Sequence, residues 1–283
     1  MTTPVETRRP LAALVLAAGV LACGLLPPED QKATPSGTKQ VTLPPADYRL
    51  VWQDGFDGAA LAPSRWTAQL GPRRDYQMTA DAAQVKDGLL TIRTYTEAGV
   101  HRSAFLTTLG RFEPTLGYYE ARIRFQDAPG EWCAFWLFSP TNGLPKGDPA
   151  TAGIEIDVVE HRVTDQGGWT ALADMIAMNL NWDGYGSDMQ NRQKITPLQG
   201  NAAVQNAWHT YGVLWTESSY TFYVDGHELW TSTDAISRAP EAIQLTCEVQ
   251  DHSWAGDVPA GGYGPRTSST TGMQVDWVRV WQR

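Results

Sequence analysis

The sequence predicts an all-β protein built from antiparallel sheets, and three observations support this. From residue 48 onward, short segments rich in Val, Ile, Tyr, Phe, Trp and Thr are separated by Gly, Pro, Asn and Asp. Apolar residues show no sustained 3.6-residue period beyond the N-terminal region, which argues against long helices. The strand–helix alternation of parallel sheets is also missing. A sandwich or barrel of antiparallel sheets is therefore expected.

The predicted strands follow one another along the chain with turn residues between them. The clearest turn is Asp225-Gly226, which lies between two apolar runs and predicts a β-hairpin. The strand segments are YRLVWQDGF, GLLTIRTYT, GYYEARIRF, CAFWLF, IEIDVV, HTYGVLWT, YTFYVDGHELW, AIQLTCEVQ and MQVDWVRVWQ.

Residues 1–23 have the features of an export signal. Arg8 and Arg9 precede an apolar run that is short for a bilayer span. The letters VLAC, ending at Cys23, resemble a bacterial lipobox, so we expect Cys23 to be lipidated and to anchor the protein to a membrane. An ordinary secretory signal with an incidental Cys is the alternative. In either case we expect export, as a cell-surface or periplasm-facing lipoprotein or in secreted form.

Residues 24–45 are rich in Pro, Ser, Thr and Gly and are expected to form a linker. The stretch 46–283 contains no second linker, so we expect one folded domain. We also expect this domain to be a monomer. After processing, only Cys133 and Cys247 remain. In an oxidising compartment they could pair, or both could be buried free thiols. Neither lies in a spacing that binds zinc.

Charge and aromatic content narrow the class of ligand. The formal net charge of −9 argues against binding to nucleic acid. Twelve Trp and ten Tyr residues are compatible with a sugar ligand, because the C–H faces of sugar rings pack on aromatic planes. In the strand 132–138, Trp132, Ala134, Trp136 and Phe138 share one face, and in 117–125 Glu120 shares a face with two arginines. Such faces suggest a working surface, and a solvated outer face with scattered aromatics is the alternative.

Residues 153–162, GIEIDVVEHR, break the alternation of a β-strand. Glu155 and Asp157 share one face, whereas Glu160 would point to the apolar face. Burial there costs on the order of 2–7 kcal/mol even for a neutral polar group. A β-bulge at Val158-Val159 would return Glu160 to the face of the other two acids. Alternatively the strand ends at Val159 and Glu160 lies in a surface loop, or the three acids bind calcium.

Three acids on one face suit a glycoside hydrolase that retains configuration. Such an enzyme needs two carboxyl groups about 5–5.5 Å apart, one to attack the anomeric carbon and one to protonate the leaving oxygen. The attacking group must be ionised and the other protonated. Like charges in close proximity separate the two pKa values, and a third acid increases that separation.

The segment EIDVVE (155–160) resembles the E-x-D-x-x-E signature of glycoside hydrolase family 16. Segments 51–66, 117–125, 130–138, 208–230 and 273–282 are similar to family segments in the expected order, so the resemblance covers most of 48–283. It implies a β-jelly-roll sandwich with a concave cleft that cuts polysaccharides internally with retention. It also implies that Glu155 is the nucleophile, that Asp157 assists it and that Glu160 is the general acid/base. The six-residue spacing is that of the bulged branch, which includes laminarinases, agarases and carrageenases.

The resemblance leaves the substrate open. A β-1,3- or mixed-linked β-1,3/1,4-glucan is the first expectation, and catalysis is expected to need no cofactor. A β-galactan of the agar, porphyran or carrageenan type is the alternative, as are a transglycosylase and a non-catalytic carbohydrate-binding module. The net charge disfavours a heavily sulfated polymer. A local anion site could nevertheless be built from Arg73, Arg74, Arg102 and Arg111.

Several side chains are candidates for binding the substrate. They are aromatic rings suited to stacking and polar groups near the acids; the set is Trp132, Trp136, Trp182, Tyr185, Trp254, Asn181, Arg162 and Glu248. The alternatives are core packing for Trp136, a simple charge partner for Arg162 and a solvated strand edge for Glu248. Asn181 stands where the family frequently has His, and Trp254 lies on a long loop of the kind that often carries specificity. His161 is expected to face the core. The resemblance also implies a possible structural calcium at Asp276 and Gly88, although Gly55 stands where the family often has Glu.

Overall fold

Strands make up nearly all of the regular structure in the computed structural model, which describes residues 42–283. The predicted export signal, with Cys23, and most of the predicted linker lie outside the described residues. In chain order the strands are β1 (Arg49–Asp54), β2 (Thr67–Ala68), β3 (Gly71–Arg73), β4 (Tyr76–Met78), β5 (Ala83–Lys86), β6 (Leu89–Arg93), β7 (Tyr95–Glu97), β8 (Val100–Ser103), β9 (Phe105–Thr107), β10 (Gly117–Gln126), β11 (Glu131–Phe138), β12 (Glu155–His161), β13 (Met175–Trp182), β14 (Gln190–Pro197), β15 (Trp208–Trp215), β16 (Tyr220–Val224), β17 (His227–Ser232), β18 (Ala242–Val249) and β19 (Gly272–Gln282).

Helical structure in the described range is limited to single turns. One α-helical turn, α1 (Pro149–Ala152), begins after Asp148, whose carboxylate accepts a hydrogen bond from the N–H of Thr151. The 3₁₀ turns are Ala80–Ala82, Thr170–Asp174 and Gln199–Asn201. Within residues 42–283, helices long and apolar enough to cross a membrane are not found.

Two large antiparallel sheets form the sandwich that the sequence predicts. The back sheet has the order β17-β16-β15-β10-β19-β6-β5, and β1 also pairs with β19. The site sheet has the order β14-β13-β12-β11-β18-β9-β2. The smaller wall sheet, β3-β4-β8-β7, contains one parallel pair, β4 with β8.

The core lies between the two large sheets because each strand turns alternate residues inward. On β10 of the back sheet, Ala121, Ile123 and Phe125 are fully buried. On β11 of the site sheet, Phe135 and Leu137 are fully buried in the same cluster. Burying a side chain of this size contributes about 1.5–3 kcal/mol. The opposite faces are thereby left free for polar and aromatic residues.

The predicted hairpin and one of the two cysteine alternatives can be compared with the structure directly. Asp225 and Gly226 both have positive φ angles, of 50° and 76°, and join β16 to β17, so the hairpin is confirmed. Cys133 and Cys247 form a disulfide between β11 and β18. The bond lies on the core face of the site sheet, directly beneath the strands that carry Trp132 and Glu248.

Candidate active site

A β-bulge in β12 brings the three acids to one face of the site sheet. Against β13, Asp157 pairs with Asn179 and Glu160 pairs with Ala177, so three steps along β12 match two along β13. Against β11, the partners of Val159 and Asp157 are consecutive residues, which makes Val158 the extra residue. Both valines are buried in the core. The bulge predicted at this position is therefore confirmed, and the alternative of a strand ending at Val159 is wrong.

The acids open into a depression that we call the active-site hollow. It is formed by strands β12, β11 and β18, by the turn between β3 and β4, and by the segment after β13. Its lining consists of Arg73, Arg74, Trp132, Ala134, Trp136, Glu155, Asp157, Glu160, Tyr185, Thr246 and Glu248. The face of β11 expected to be a working surface thus lies in this hollow. The polar face of β10, with Glu120, lies on the outer side of the back sheet and takes no part in it.

Each of the outer acids has its own hydrogen-bond donor. The amide of Asn181 donates to Glu155 at 2.8 Å and to Asp157 at 3.0 Å. The hydroxyl of Tyr185 also donates to Glu155. Glu160 instead accepts from the amide of Asn179. Asn181 therefore holds the predicted nucleophile and its assistant, and its amide is not free to bind a sugar.

The surroundings drive the pKa values of the three carboxyls upward to different extents. Burial, followed by the charges of Glu155 and Glu248, raises the pKa of Glu160 to about 8. Burial, with Glu160 and Glu155 as close neighbours, raises the pKa of Asp157 well above its ordinary value. Burial also raises the pKa of Glu155, but the donors Tyr185 and Asn181 oppose the rise. Glu160 is thus suited to hold a proton at neutral pH, whereas Glu155 has the donors that stabilise a carboxylate.

A clasp of two guanidinium groups and one carboxylate forms the wall of the active-site hollow. Arg73 binds Glu248 through two hydrogen bonds, each of 2.9 Å, and Arg74 donates to the same carboxylate at 2.5 Å. The guanidinium of Arg74 also lies 5.0 Å from the centre of the Trp132 ring. Glu248 was expected to reach a sugar hydroxyl, but both of its oxygens are engaged by arginine. Its position at the hollow agrees with the prediction.

The other end of the hollow is bordered by Arg162 and Trp254. The guanidinium of Arg162 stacks on the Trp254 ring at 4.0 Å and donates to the carbonyl of the same residue. Trp254 in turn contacts the edge of Trp132 at 5.6 Å. Burial lowers the pKa of Arg162. The charge of Arg162 also lowers the pKa of Glu160, so Arg162 lies near that acid, and Trp254 adjoins the hollow through its contact with Trp132.

Behind the acids, His161 faces the core as expected. Its ring stacks on Phe125 at 5.1 Å, and Nδ1 lies 2.6 Å from the carboxylate of Asp127. Its Nε2 donates to the carbonyl of Ala173 at 3.1 Å. Contacts on both ring nitrogens fix the residue that directly follows Glu160. His161 therefore holds the strand that carries the three acids in place from the core side of the sheet.

One predicted binding residue lies on the wrong face. Trp182 packs against the hydrophobic core, beside the fully buried Leu180. The physical reason is the alternation of β13, which turns Asn179 and Asn181 toward the acids and Leu180 and Trp182 away from them. Because Asn181 and Trp182 are adjacent in one strand, only one of them could face the hollow. The prediction of Trp182 as a stacking platform is therefore wrong.

Sequence reasoning missed Asn179 and Thr246. Asn179 shares a strand face with Asn181, so alternation alone would have indicated it once Asn181 had been chosen. Thr246 accepts a hydrogen bond from the Trp136 indole N–H at 3.0 Å and thereby orients that ring. Of the four arginines considered for an anion site, only Arg73 and Arg74 line the hollow.

The residues considered for calcium are located on the back sheet. Asp276 is paired with the guanidinium of Arg122 at 2.7 Å, and Gly88 lies in the same surface depression. In the described part of the chain, no three carboxylate, His or Cys ligand atoms converge there. A guanidinium already neutralises the one carboxylate expected to bind the ion. Calcium at Asp276 and Gly88, with backbone carbonyls as ligands, stays a prediction.

Comparisons with known proteins agree with this geometry. Residues 51–283 match the family model described as Beta-porphyranase A-D, GH16 domain. Endo-1,3-1,4-beta-glycanase EglC of Rhizobium meliloti is 30% identical over 222 residues, which are 73% of this chain and 41% of that protein. Beta-porphyranase C of Zobellia galactanivorans is 31% identical over 186 residues, which are 59% of this chain and 51% of that protein. The chain thus spans about two fifths to one half of the length of these curated relatives.

A solved structure shows the same fold. Porphyranase B from Zobellia galactanivorans superposes with a TM-score of 0.67 at 20% sequence identity. The alignment covers 83% of this chain and 92% of that one. The β-sandwich therefore belongs to a fold that is found in another solved protein.

Proposed function

This chain belongs to glycoside hydrolase family 16, and from that premise we propose that it cleaves a β-linked polysaccharide internally with retention of configuration. The observation that carries the proposal is the placement of three acids on one face of β12, each in a different hydrogen-bonding environment. Glu155 has two donors and Glu160 has a pKa raised to about 8 by burial and neighbouring charges. One carboxylate and one carboxylic acid are what double displacement requires.

In the first step, an oxygen of Glu155 attacks the anomeric carbon as the glycosidic bond breaks. Glu160 gives its proton to the leaving oxygen, and a glycosyl ester forms on Glu155. In the second step, Glu160, now a carboxylate, takes a proton from water while that water attacks the anomeric carbon. The ester bond breaks, Glu155 is released as a carboxylate and Glu160 is again protonated. Asp157 shares the Asn181 amide with Glu155 and stabilises the change of charge on it.

For the substrate, we propose a β-galactan of the porphyran type, in place of the glucan that the sequence favoured. The support is the pair of guanidinium groups at Arg73 and Arg74, which are balanced by the single carboxylate of Glu248. One positive charge thus remains on this wall despite the net charge of −9. An anionic polymer complements such a wall. The match of residues 51–283 to the porphyranase family model points the same way.

A β-1,3/1,4-glucan is the second candidate. The observation that favours it is the 30% identity to an endo-1,3-1,4-beta-glycanase over 73% of this chain. A screen of porphyran, agarose, κ-carrageenan, laminarin and lichenan, with the products sized, distinguishes the two candidates. Cleavage of porphyran alone supports the first, and cleavage of laminarin or lichenan alone supports the second.

The first prediction concerns the nucleophile. Glu155→Gln keeps the shape and the hydrogen-bond acceptor but removes the attacking carboxylate. We expect turnover of the cleaved polymer to fall by at least about 10³-fold, since no covalent intermediate can form. The matched control is Glu120→Gln on the outer side of the back sheet, for which we expect wild-type turnover.

Retained turnover in the Glu155→Gln protein would show that the nucleophile is assigned wrongly. If the wild type binds these polymers without shortening any of them, the chain is a binding module and the proposed reaction fails. Circular dichroism and thermal unfolding of both variants check that the sandwich is intact.

A further inference from the structure

The site sheet carries a second depression beside the active-site hollow, which we call the side groove. Its lining includes Arg73, Phe105, Thr107, Phe138, Tyr185 and Gln244. Arg73 and Tyr185 line both depressions, so the side groove continues from the hollow. A polymer that lies in the hollow on the Glu155 side would extend into it.

The strand pairing fixes the position of the side groove relative to the acids. Gln244 on β18 pairs with Trp136 on β11, which pairs with Asp157 on β12. Two strand spacings, or about 10 Å, therefore separate the backbones of Gln244 and Asp157. On its other side, Gln244 pairs with Thr107 on β9. The side groove thus lies across the strands, within reach of a sugar one ring further from the bond that is cut.

Aromatic rings give the side groove apolar surfaces. Phe138 and Tyr185 are stacked with an angle of 5° between planes and 6.1 Å between centres. Tyr185 remains 64% exposed. On the opposite side, the guanidinium of Arg73 lies 5.2 Å from the centre of Phe105. Such planes suit the C–H face of a sugar ring, and a polar contact is then needed to select its hydroxyls.

Gln244 supplies a polar atom that lacks a partner. The side chain is only 3% exposed, and its Oε1 receives no hydrogen bond from any group in residues 42–283. A buried acceptor without a donor destabilises a fold by about 1–3 kcal/mol. The donors of Arg73 are directed to Glu248 and leave Gln244 without one. The Nε2 of the same side chain also makes no hydrogen bond within residues 42–283, and unlike Oε1 it is not among the fully buried atoms. The amide of Gln244 is therefore available, through its Nε2, to a hydroxyl group of a ligand in the side groove.

We propose that Gln244 binds a hydroxyl group of the sugar one ring beyond the cleaved residue, on the Glu155 side, and so helps to decide which polymer is accepted. The sugar packs on Tyr185 and Phe138 while its hydroxyl accepts a hydrogen bond from the amide Nε2 of Gln244. This assignment rests on the proposed function, because it treats the side groove as part of a polysaccharide site.

The test uses the full chain and oligosaccharides of two to six units prepared from whichever screened polymer the wild type shortens. Gln244→Leu keeps the side-chain size and removes the amide. We expect kcat/KM to fall about tenfold for oligosaccharides long enough to fill the side groove, because one hydrogen bond is lost. The value for shorter oligosaccharides stays unchanged. Gln274→Leu makes the same change on the back sheet and should alter no value.

A loss that is equal at every length, or no loss at any length, overturns the assignment. If the wild type shortens none of the polymers, the proposed function fails, and calorimetry with porphyran, agarose and laminarin hexasaccharides then tests the side groove alone. Tighter binding of any of the three hexasaccharides to the wild type than to Gln244→Leu upholds the assignment. Equal binding to the two proteins, or no binding of any hexasaccharide, overturns it.

Discussion

Glu160 is held between partners that act on its proton in opposite directions. The amide of Asn179 and the charge of Arg162 lower its pKa, whereas burial and the charges of Glu155 and Glu248 raise it. Burial and the neighbouring negative charges outweigh the two groups that lower the pKa, so the pKa of Glu160 is about 8. A general acid must carry its proton when substrate binds, so activity is expected to fall as the pH rises through this value.

The second prediction follows from this balance. Asn179→Ala removes a donor that stabilises the carboxylate, so the pKa of Glu160 rises and the basic limb of the kcat/KM profile moves up by about half to one pH unit. Glu248→Gln removes a negative charge, so the same limb moves down by a similar amount. The measurement is the pH profile of kcat/KM for the three proteins. Shifts of the same sign in both variants would show that Glu160 does not control this limb.

At the scale of single residues, the sequence was a good guide to the acids and a poorer one to their surroundings. The three acids follow from one short segment, because spacing and chemistry are local properties. The partners of Glu248 do not, since Arg73 and Arg74 are more than 170 residues away in sequence and belong to another sheet. Trp182 was misplaced because residue type was given more weight than the alternation of β13.

At the scale of elements, the bulge in β12 decides whether the site exists. The extra Val158 allows both valines to stay in the core while Glu160 returns to the face of Glu155. The bulge could be predicted because plain alternation would bury the carboxylate of Glu160 in the core, and the free-energy cost of that burial is too high. The wall sheet could not be predicted in the same way, because its strands are three or four residues long and include the parallel pair of β4 with β8.

The third prediction tests the bulge by changing its length. Deleting Val158 leaves the spacing E-x-D-x-E, in which plain alternation places both glutamates on one face. We expect activity to be kept within about tenfold of wild type, with a stability loss of about 1–3 kcal/mol from the missing buried valine. Inserting Ala between Val158 and Val159 adds a second extra residue and turns Glu160 toward the core. Activity should then fall at least about 100-fold.

Both variants are assayed for turnover and by thermal unfolding. If the deletion abolished activity while the insertion preserved it, the register argument for the three acids would be wrong. The unfolding curves show whether either change disrupts the sandwich as a whole.

At the scale of the whole molecule, buried carboxyl groups are unusually numerous. Burial raises the pKa of Glu241 to about 8, as it does for Glu160, and raises the pKa of Glu131 well above its ordinary value. In the unfolded chain such groups lose their protons near pH 4.5. Between about pH 4.5 and 8 the folded state therefore binds more protons than the unfolded state, and stability falls as the pH rises.

The fourth prediction is that Tm decreases on the order of 5–10 °C between pH 5 and pH 8. Glu241→Gln replaces one of these carboxyls by a neutral group of the same shape, so its Tm should depend less on pH. Differential scanning calorimetry in buffers of equal ionic strength measures both proteins. A Tm that rises over this range would mean that the buried carboxyls stay ionised in the fold.

The overall architecture could be predicted because strand patterns recur from residue 48 onward. In each strand, the alternation of apolar and polar residues shows which face is buried. The order of strands in the two sheets could not be read from these patterns, since β10 lies between β15 and β19 and β11 lies between β12 and β18. Pairing between strands so far apart in sequence depends on the complete core. The resemblance to a family, rather than the pattern, supplied the jelly-roll topology.

The catalytic acids and the arginines that form the wall of the hollow belong to different sheets, and this has a consequence for how such proteins diversify. The acids lie on an inner strand of a seven-stranded sheet, hydrogen-bonded on both sides. Arg73 and Arg74 lie at the turn of a different sheet, which is held by their ion pairs with Glu248 and by the hydrogen bond from the N–H of Asp75 to the carbonyl of Val249. Insertions or substitutions in that turn alter what is recognised and leave the bond-breaking groups in place. Substrate choice can then change without change to the catalytic acids, and the relatives of this chain include both an endo-1,3-1,4-beta-glycanase and a beta-porphyranase.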